Sequence, residues 1–320
     1  MTGNSAVDRA ALEALQLERL QKSVRWAKDK SAFYQDRLSA ISPDDIGTLK
    51  DIENIPFTTM ADIAETSPFD FLTMPMSGLL RITQYAHAES ITGMYSAADV
   101  ANHVETVLRS LKAAGVNRAS VVGISGDMSD SILLDFQYAS EMLGALTIPL
   151  GENLRNGIEL IELAGADILI ARQACITRLI AEAQTQGKEP SELTLRKVFC
   201  VNEAVHNPMK RDIADRLQVR VYDMFHSAAL GTAGIVCPCE ADTGAHVQED
   251  MCIAEVVEFD GERAITEPGC MGELIVTSLV AEAMPILRYR TGQAVMRLME
   301  ECSCGSKMMR IASSHEIRKT

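Results

Sequence analysis

Residues 119–150 read ASVVGISGDMSDSILLDFQYASEMLGALTIPL. ASVVGIS and ALTIPL are apolar runs of strand length, and SDSILLDFQYASEMLG between them reads as a helix that stops at Gly144. Strand, helix and strand in succession make a crossover, the connection that parallel neighbours require. The alternation continues in both directions. Upstream, LLRITQYA (79–86) reads as a strand and SAADVANHVETVLRSLKAAG (96–115) as an amphipathic helix ended by Gly115. Downstream come helix IELIELAG, strand ADILIA, helix QACITRLIAEAQTQG, strand KVFCVNE, helix NPMKRDIADRL and strand VRVYDMF, reaching residue 225. The pattern predicts an α/β fold in which crossover βαβ units form parallel-type sheets.

After residue 225 the helices stop. GTAGIVC, CIAEVVEF, GELIVTSL, PILRYRTG and AVMRLM are short strands joined by Gly and Pro turns, which predicts a small β-barrel or distorted sheet. Before residue 79 the chain reads as helical. Leu12, Leu15, Leu17, Leu20, Val24 and Ala27 recur near the helical period, SAFYQDRL and SPDDIGTLKDI read as short helices, and Thr58 or Thr59 caps another. Three segments result: 1–78 helical and packed on the core, 79–225 α/β, and 226–320 barrel-like.

The 320 residues suffice for one large or two to three smaller packed units, and 47% apolar content supplies a core. A net charge of −14 argues against nucleic acid and anionic membrane as partners, because both select clustered Lys and Arg. Apolar runs all fall short of the roughly 18 residues that a membrane span needs. The opening MTGNSAVDRAALEAL lacks the basic and apolar regions of a signal peptide, so the cytoplasm is the expected location. The partner, a small molecule or a protein, is not named by the sequence, and a homodimer stays open.

Eight cysteines with no secretory signal point to a reducing compartment. Four form two C-x-C pairs, at 237–239 and 302–304, and His246 follows the first pair by seven residues. Thiolates from two loops and one imidazole can complete a tetrahedral zinc shell that ties the loops together; the bland alternative is unligated thiols. Cys252 is a weaker rival ligand. With four protein ligands and no open position, such a zinc would be structural.

With these residues in hand, the chain resembles the adenylate-forming superfamily, in its phenylacetate–coenzyme A ligase-like branch. FYQDRL, IPFTTMADIAE, LGALTIPLGE, VFCVNE, VYDMF, HVQED, GELIVTSL, EAMPILRYRTG and CSCG fall in family order across nearly the whole chain, and PILRYRTG is the most specific. The resemblance implies two α/β sheets and a small barrel, followed by a C-terminal lid. It also implies activation of a carboxylic acid by ATP and Mg²⁺ to an acyl-adenylate, then transfer to coenzyme A. Carried over to this chain, the branch's zinc ligands are Cys239, His246, Cys302 and Cys304, with Cys237 in reserve.

The same resemblance marks departures. The family's phosphate loop is rich in Ser, Thr and Gly and holds a lysine, so that many donors surround a polyphosphate. Here TQYAHAESITGMYS (83–96) has one glycine, no lysine and the acidic Glu89. The family's Tyr-Gly-x-Ser/Thr-Glu motif becomes Phe225, His226, Ser227, Ala228 and Ala229, which puts a methyl group where a glutamate holds Mg²⁺. The Gly-Ala-Glu turn beside adenine reads Val201, Asn202 and Glu203. The aspartate that follows Arg-Thr-Gly and accepts from both ribose hydroxyls is Gln293, which has one uncharged acceptor. Asp223, near the adenine amino group in the family, is retained. The sequence stops at SSHEIRKT, where the family's hinge and lid, with its catalytic lysine, begin.

Asp223, Phe225, Glu203 and Gln293 therefore read as a remnant nucleotide pocket with no catalytic residue. His87 and Glu89 suggest acid–base chemistry, but two polar loop residues usually do no more than face solvent. The expectation is a non-catalytic binding or regulatory pseudoenzyme with a structural zinc, in which the family's use of ATP, Mg²⁺ and coenzyme A is in doubt. The alternative is an acid–thiol ligase that uses a lid from a separate chain, or an enzyme turned to other chemistry.

Overall fold

The computed structural model describes residues 8–85, 91–202, 204, 209–267 and 269–313. Two compact units emerge. One contains residues 1–102, 227–231 and 243–320; the other contains 103–226 and 232–242. The units interleave along the chain, so that residues 232–242, placed by sequence with the β-rich segment, belong with the α/β unit.

In the first unit, α1 (Arg9–Lys30) begins where the Asp8 side chain accepts from Ala10 N at 3.1 Å, and ends with Lys28 and Lys30 in its last turn. It buries Leu12, Gln16, Leu20, Ser23, Val24 and Ala27 along one stripe. Next come α2 (Ala32–Arg37) and α3 (Met60–Glu65). Thr59 caps α3 through a reciprocal box: Asp62 N donates to Thr59 Oγ1 at 3.1 Å, and Thr59 N to Asp62 Oδ2 at 2.8 Å. Thr58 is buried and serves another purpose. Its hydroxyl donates to Leu287 O at 2.7 Å and meets the Tyr34 hydroxyl at 3.0 Å. SPDDIGTLKDI forms two 3₁₀ turns, Pro43–Asp45 and Leu49–Asn54.

Strands β1 (Arg81–Tyr85) and β2 (Ile91–Tyr95) pair antiparallel, and α4 (Ala97–Ala113) runs from the first unit into the second. The second unit holds β3 (Val121–Ser125), α5 (Ser131–Met142), β4 (Leu146–Gly151), α6 (Leu154–Ala164), β5 (Ile168–Arg172), α7 (Gln173–Thr185), β6 (Lys197–Asn202), α8 (Lys210–Leu217), β7 (Arg220–Ser227), β8 (Thr232–Ala233) and β9 (Val236–Cys237). Its six-stranded sheet has the order β4-β3-β5-β6-β7-β8, parallel from β4 through β7. The central strands are buried on both faces, as a parallel sheet under helices requires, and read as unbroken apolar runs such as ILIA and VFCV. One core joins Ile158 and Ile161 of α6, Ile176, Leu179 and Ile180 of α7, and Ile213 of α8 to Leu169, Val198 and Val221 of the sheet.

The chain leaves β3 through α5 toward β4 on one side, and β5 through α7 toward β6 on the other. The carboxyl ends of β3 and β5 thus flank a topological switch point.

The first unit resumes with β10 (Ala245–Val247), β11 (Cys252–Val257), β12 (Met271–Ser278), β13 (Tyr289–Leu298) and β14 (Arg310–Ser313). Their order, β11-β12-β13-β14-β10, is that of an antiparallel sheet with a register break between β12 and β13, where the sequence left a small barrel or a distorted sheet open. Arg288 is 2% exposed, and its guanidinium forks onto Glu255 at 2.9 and 3.1 Å. Among the described residues, no helix is long and apolar enough to cross a membrane.

Candidate functional site

His246 lies on β10, which pairs with β14 in the register His246↔Arg310. Arg310 anchors the surroundings: it donates to Glu300 O at 2.6 Å and to Thr243 Oγ1 at 3.0 Å, on the approaches to Cys302 and His246. Gly305 N donates to Cys302 O at 2.9 Å, which curls CSCG into a turn. The Cys304 Sγ then stands 3.4 Å from His246 Nε2.

Cys239, just before the first unit resumes at Thr243, brings a fourth ligand atom. The ligand atoms of Cys239, His246, Cys302 and Cys304 all lie within 4.8 Å of one another. A tetrahedron with Zn–S bonds of about 2.3 Å has edges of about 3.8 Å, so a small contraction would close the shell. Three of the four residues are buried. Burial and the nearby Arg310 push the His246 pKa down to about 4, against an opposing interaction with the Met308 backbone. The ring is therefore neutral near pH 7, as metal ligation requires. The donor set fits a closed zinc site. Cys237 and Cys252 stand outside the group, and the Cys252 thiol meets Gln248 O at 3.7 Å.

The residues read as a nucleotide pocket divide between the units. On β7, Asp223 and Phe225 are buried, and Asp223 Oδ2 lies 3.9 Å from Lys210 Nζ, which also binds Asp242 at 2.9 Å. Gln293 belongs to the first unit, in a bulge of β13. The register there passes from Ile275↔Arg290 to Glu273↔Ala294, so that Thr291, Gly292 and Gln293 loop out opposite Leu274. Thr291 Oγ1 donates to Leu274 O at 2.7 Å, Gly292 N donates to Glu273 Oε1 at 2.9 Å, and Gly292 takes a φ of +69° that favours glycine. The turn is well built, and it presents an uncharged amide. Glu203, His87 and Glu89 lie outside the described residues.

Ala229 packs against the apolar core formed by Leu20, Val24, Tyr34 and Leu287. In the same segment, Gly231 receives the ring of Tyr95. A Cβ at Gly231 would lie 2.3 Å from the Tyr95 hydroxyl oxygen, and one at Gly93 would lie 2.0 Å from it. The Tyr95 hydroxyl meets that of Tyr85 at 2.8 Å, and both rings are buried. Two tyrosines thus fill the space beside the 227–231 turn. The sequence offered only a weak signal of this, since Tyr85 and Tyr95 flank the stretch that lacks phosphate-loop glycines.

The chain is 30% identical over 293 residues to a phenylacetate–coenzyme A ligase of Pseudomonas putida, a match covering 88% of this chain and 65% of the relative. The chain is a relative of the phenylacetate–coenzyme A ligases. The enzyme of that name from Thermus thermophilus is 28% identical over 314 residues, or 95% of this chain and 69% of the relative. The chain thus spans about two thirds of the length of these ligases. No family model matches it. Among solved structures, a 2-hydroxyisobutyryl-CoA ligase in an open conformation, in complex with 2-HIB-AMP and CoA, superposes with a TM-score of 0.87 at 18% identity, covering 96% of this chain and 70% of that one. That likeness places the mixed α/β fold, with its parallel sheet, among the CoA ligases.

Proposed function

We propose that this chain keeps the scaffold of an aryl acid–coenzyme A ligase, has lost magnesium-dependent adenylate formation, and acts by binding a small molecule or a protein partner. The observation that carries this reading is Ala229. The side chain at the position of the expected magnesium ligand is a half-buried methyl group packed against an apolar core, and it cannot coordinate a cation. Further support comes from the absence of lysine in residues 83–96, and from the uncharged Gln293 on its bulge. We assign Cys239, His246, Cys302 and Cys304 to one structural zinc. When bound, the metal would supply cross-linking of the loops and no chemistry, because four protein ligands leave no position for water.

The test is nucleotide binding by the full chain, with thermal stability recorded against ATP in the presence and absence of Mg²⁺. A ligand at 100 times its dissociation constant adds about 2.7 kcal/mol, well within the reach of the assay. The proposal expects no magnesium-dependent gain. A gain that needs both ATP and Mg²⁺ would refute it.

A second reading, an acid–thiol ligase completed by a lid from another chain, draws on the retained Asp223 and the intact Arg-Thr-Gly bulge. It requires pyrophosphate release once such a lid is added.

A further inference from the structure

A cleft of about 420 Å³ opens within the first unit, and none of the residues read as a nucleotide pocket lines it. At roughly 30 Å³ per water it holds about a dozen solvent molecules, the room that a single amino acid takes. Leu49, Ile253, Ala254 and Met309 form its apolar wall, drawn from the 3₁₀ turn at Leu49–Asn54, from β11 and from the approach to β14. The opposite wall is the first half of α1, and hydrogen bonds hold the two together. Gln16 Nε2 donates to Glu249 O at 2.8 Å and to Cys252 O at 3.4 Å. Arg9 forks onto the Glu249 carboxylate at 2.7 and 3.2 Å, and Glu249 Oε2 accepts from Met309 N at 2.7 Å. The frame is therefore built before any ligand arrives.

Four charged side chains line this cleft, and two of them are spent on each other: Arg9 neutralises Glu249. The other two, Arg297 and Glu13, make no hydrogen bond or ion pair among the described residues. Arg297 is half-buried near the end of β13, and Glu13 is exposed on α1. Both lie within electrostatic reach of one carboxyl. Burial raises the Glu249 pKa, Met309 N, Arg9 and Arg297 oppose that rise, and Glu13 adds to it. The fifth polar group is Gln16, which is 5% exposed. Both of its amide protons go to backbone carbonyls, which turns Oε1 the other way. That oxygen accepts no hydrogen bond among the described residues, yet it is not sealed from the cleft. A buried acceptor left without a donor is costly, so a ligand N–H there would be favoured.

We infer that this cleft binds a small zwitterion with an apolar side chain, of the class of the free amino acids. Arg297 takes the carboxylate, Glu13 and Gln16 Oε1 take the ammonium, and the apolar wall takes the side chain. One unspent positive and one unspent negative charge select a ligand that carries both over an ion that carries either alone. The site goes beyond the ligase reading and stands whether or not adenylate formation is lost, since it uses neither Ala229 nor Gln293.

The test is calorimetric titration of the full chain with leucine, with 4-methylpentanoate, which lacks the ammonium, and with 3-methylbutylamine, which lacks the carboxylate. Glycine serves as the zwitterion without an apolar side chain. The expected result is saturable binding of leucine, with each of the other three at least about tenfold weaker. Arg297→Met should weaken leucine about ten- to a hundredfold and erase its advantage over the amine. Glu13→Gln should weaken it less, because an exposed charge is screened. Both variants should melt with the wild type, since neither side chain bonds to the fold. The comparison of leucine with its truncated analogues needs no variant, so it decides the matter even if one fails to fold. No saturable response to leucine, equal binding of 4-methylpentanoate, or leucine affinity unchanged in a folded Arg297→Met would overturn the assignment.

Discussion

The Cys304 Sγ lies 3.4 Å from His246 Nε2, across 58 residues of chain. A thiol and a neutral imidazole at that distance, with two more thiols in the same group, are placed as ligands of one ion would be. We expect close to one zinc per chain on elemental analysis. Cys302→Ser should lose the metal and lower the melting temperature, whereas Cys237→Ser and Cys252→Ser should keep it. A metal-free protein with an unchanged melting temperature would remove the zinc assignment.

Tyr34 offers a test in alkali. Its hydroxyl accepts from Leu287 N at 2.9 Å and meets Thr58 Oγ1 at 3.0 Å, which docks α2 against the PILRYRTG segment. Burial pushes its pKa up to about 12 from 10.0, outweighing the lowering effects of the Thr58 and Leu287 hydrogen bonds. The folded state thus holds the proton more tightly than the unfolded state. The resulting stability is fully present below pH 10 and is lost as pH rises through about 12. A shift of this size corresponds to roughly 2–3 kcal/mol. Tyr34→Phe leaves Leu287 N unsatisfied and should cost about 1–3 kcal/mol at pH 8. The gap between wild type and Tyr34→Phe should narrow between pH 10 and 12 in denaturant titrations. A gap that stays constant would contradict the burial.

Arg288 and Glu255 form a buried pair. Burial raises the Glu255 pKa while Arg288 lowers it, and Arg288 also donates to Ile55 O at 2.8 Å. Arg288→Met should destabilise by about 3–5 kcal/mol, because it leaves a buried carboxylate unpaired. A double variant, Arg288→Met with Glu255→Leu, should recover much of that loss. If the single variant melts with the wild type, the pair has no such role.

Gly231→Ala tests the tyrosine packing. The new Cβ would meet the Tyr95 hydroxyl at 2.3 Å, at a residue with φ of +68°. The cost should be about 1–3 kcal/mol. Adding Tyr95→Ala should remove the steric part and leave the backbone part, and strictly additive losses would show that the contact is absent.

Much of this architecture is legible in the residues themselves. The α1 stripe, the crossovers from β3 to β7 and the pairing of C-x-C motifs with His246 each depend on local periodicity or ligand chemistry, which a sequence displays directly. What could not be read depends on contacts between distant residues. Thr58 and Thr59 are equally good caps on paper, and only the approach of Tyr34 and Leu287 assigns Thr58 elsewhere. Residues 232–242 look like the start of the β-rich segment, yet β8 adds to the parallel sheet, where Gly234 N donates to Phe225 O at 2.9 Å. Short strands and turns serve a small barrel and a distorted antiparallel sheet equally, so the sequence leaves both open. The Arg172 contacts with Asp130 and His226 are not legible in the sequence, because these partners lie 42 and 54 residues away.

The central claim is the loss of ATP-dependent adenylate formation, and pyrophosphate release tests it most directly. The full chain, loaded with zinc, would be assayed with ATP, Mg²⁺ and a panel of aryl acids, with acyl-hydroxamate trapping as a second readout. Losing a single preorganised electrostatic group typically costs about 10²–10³ in rate, and on the proposed reading the magnesium carboxylate and the phosphate-loop lysine are both missing. The account predicts background rates for the wild type. It predicts the same for Ala229→Glu combined with Gln293→Asp, because residues 83–96 would still lack the glycines and lysine that surround a polyphosphate. Pyrophosphate release clearly above background, dependent on an aryl acid and abolished by Asp223→Asn, would contradict it.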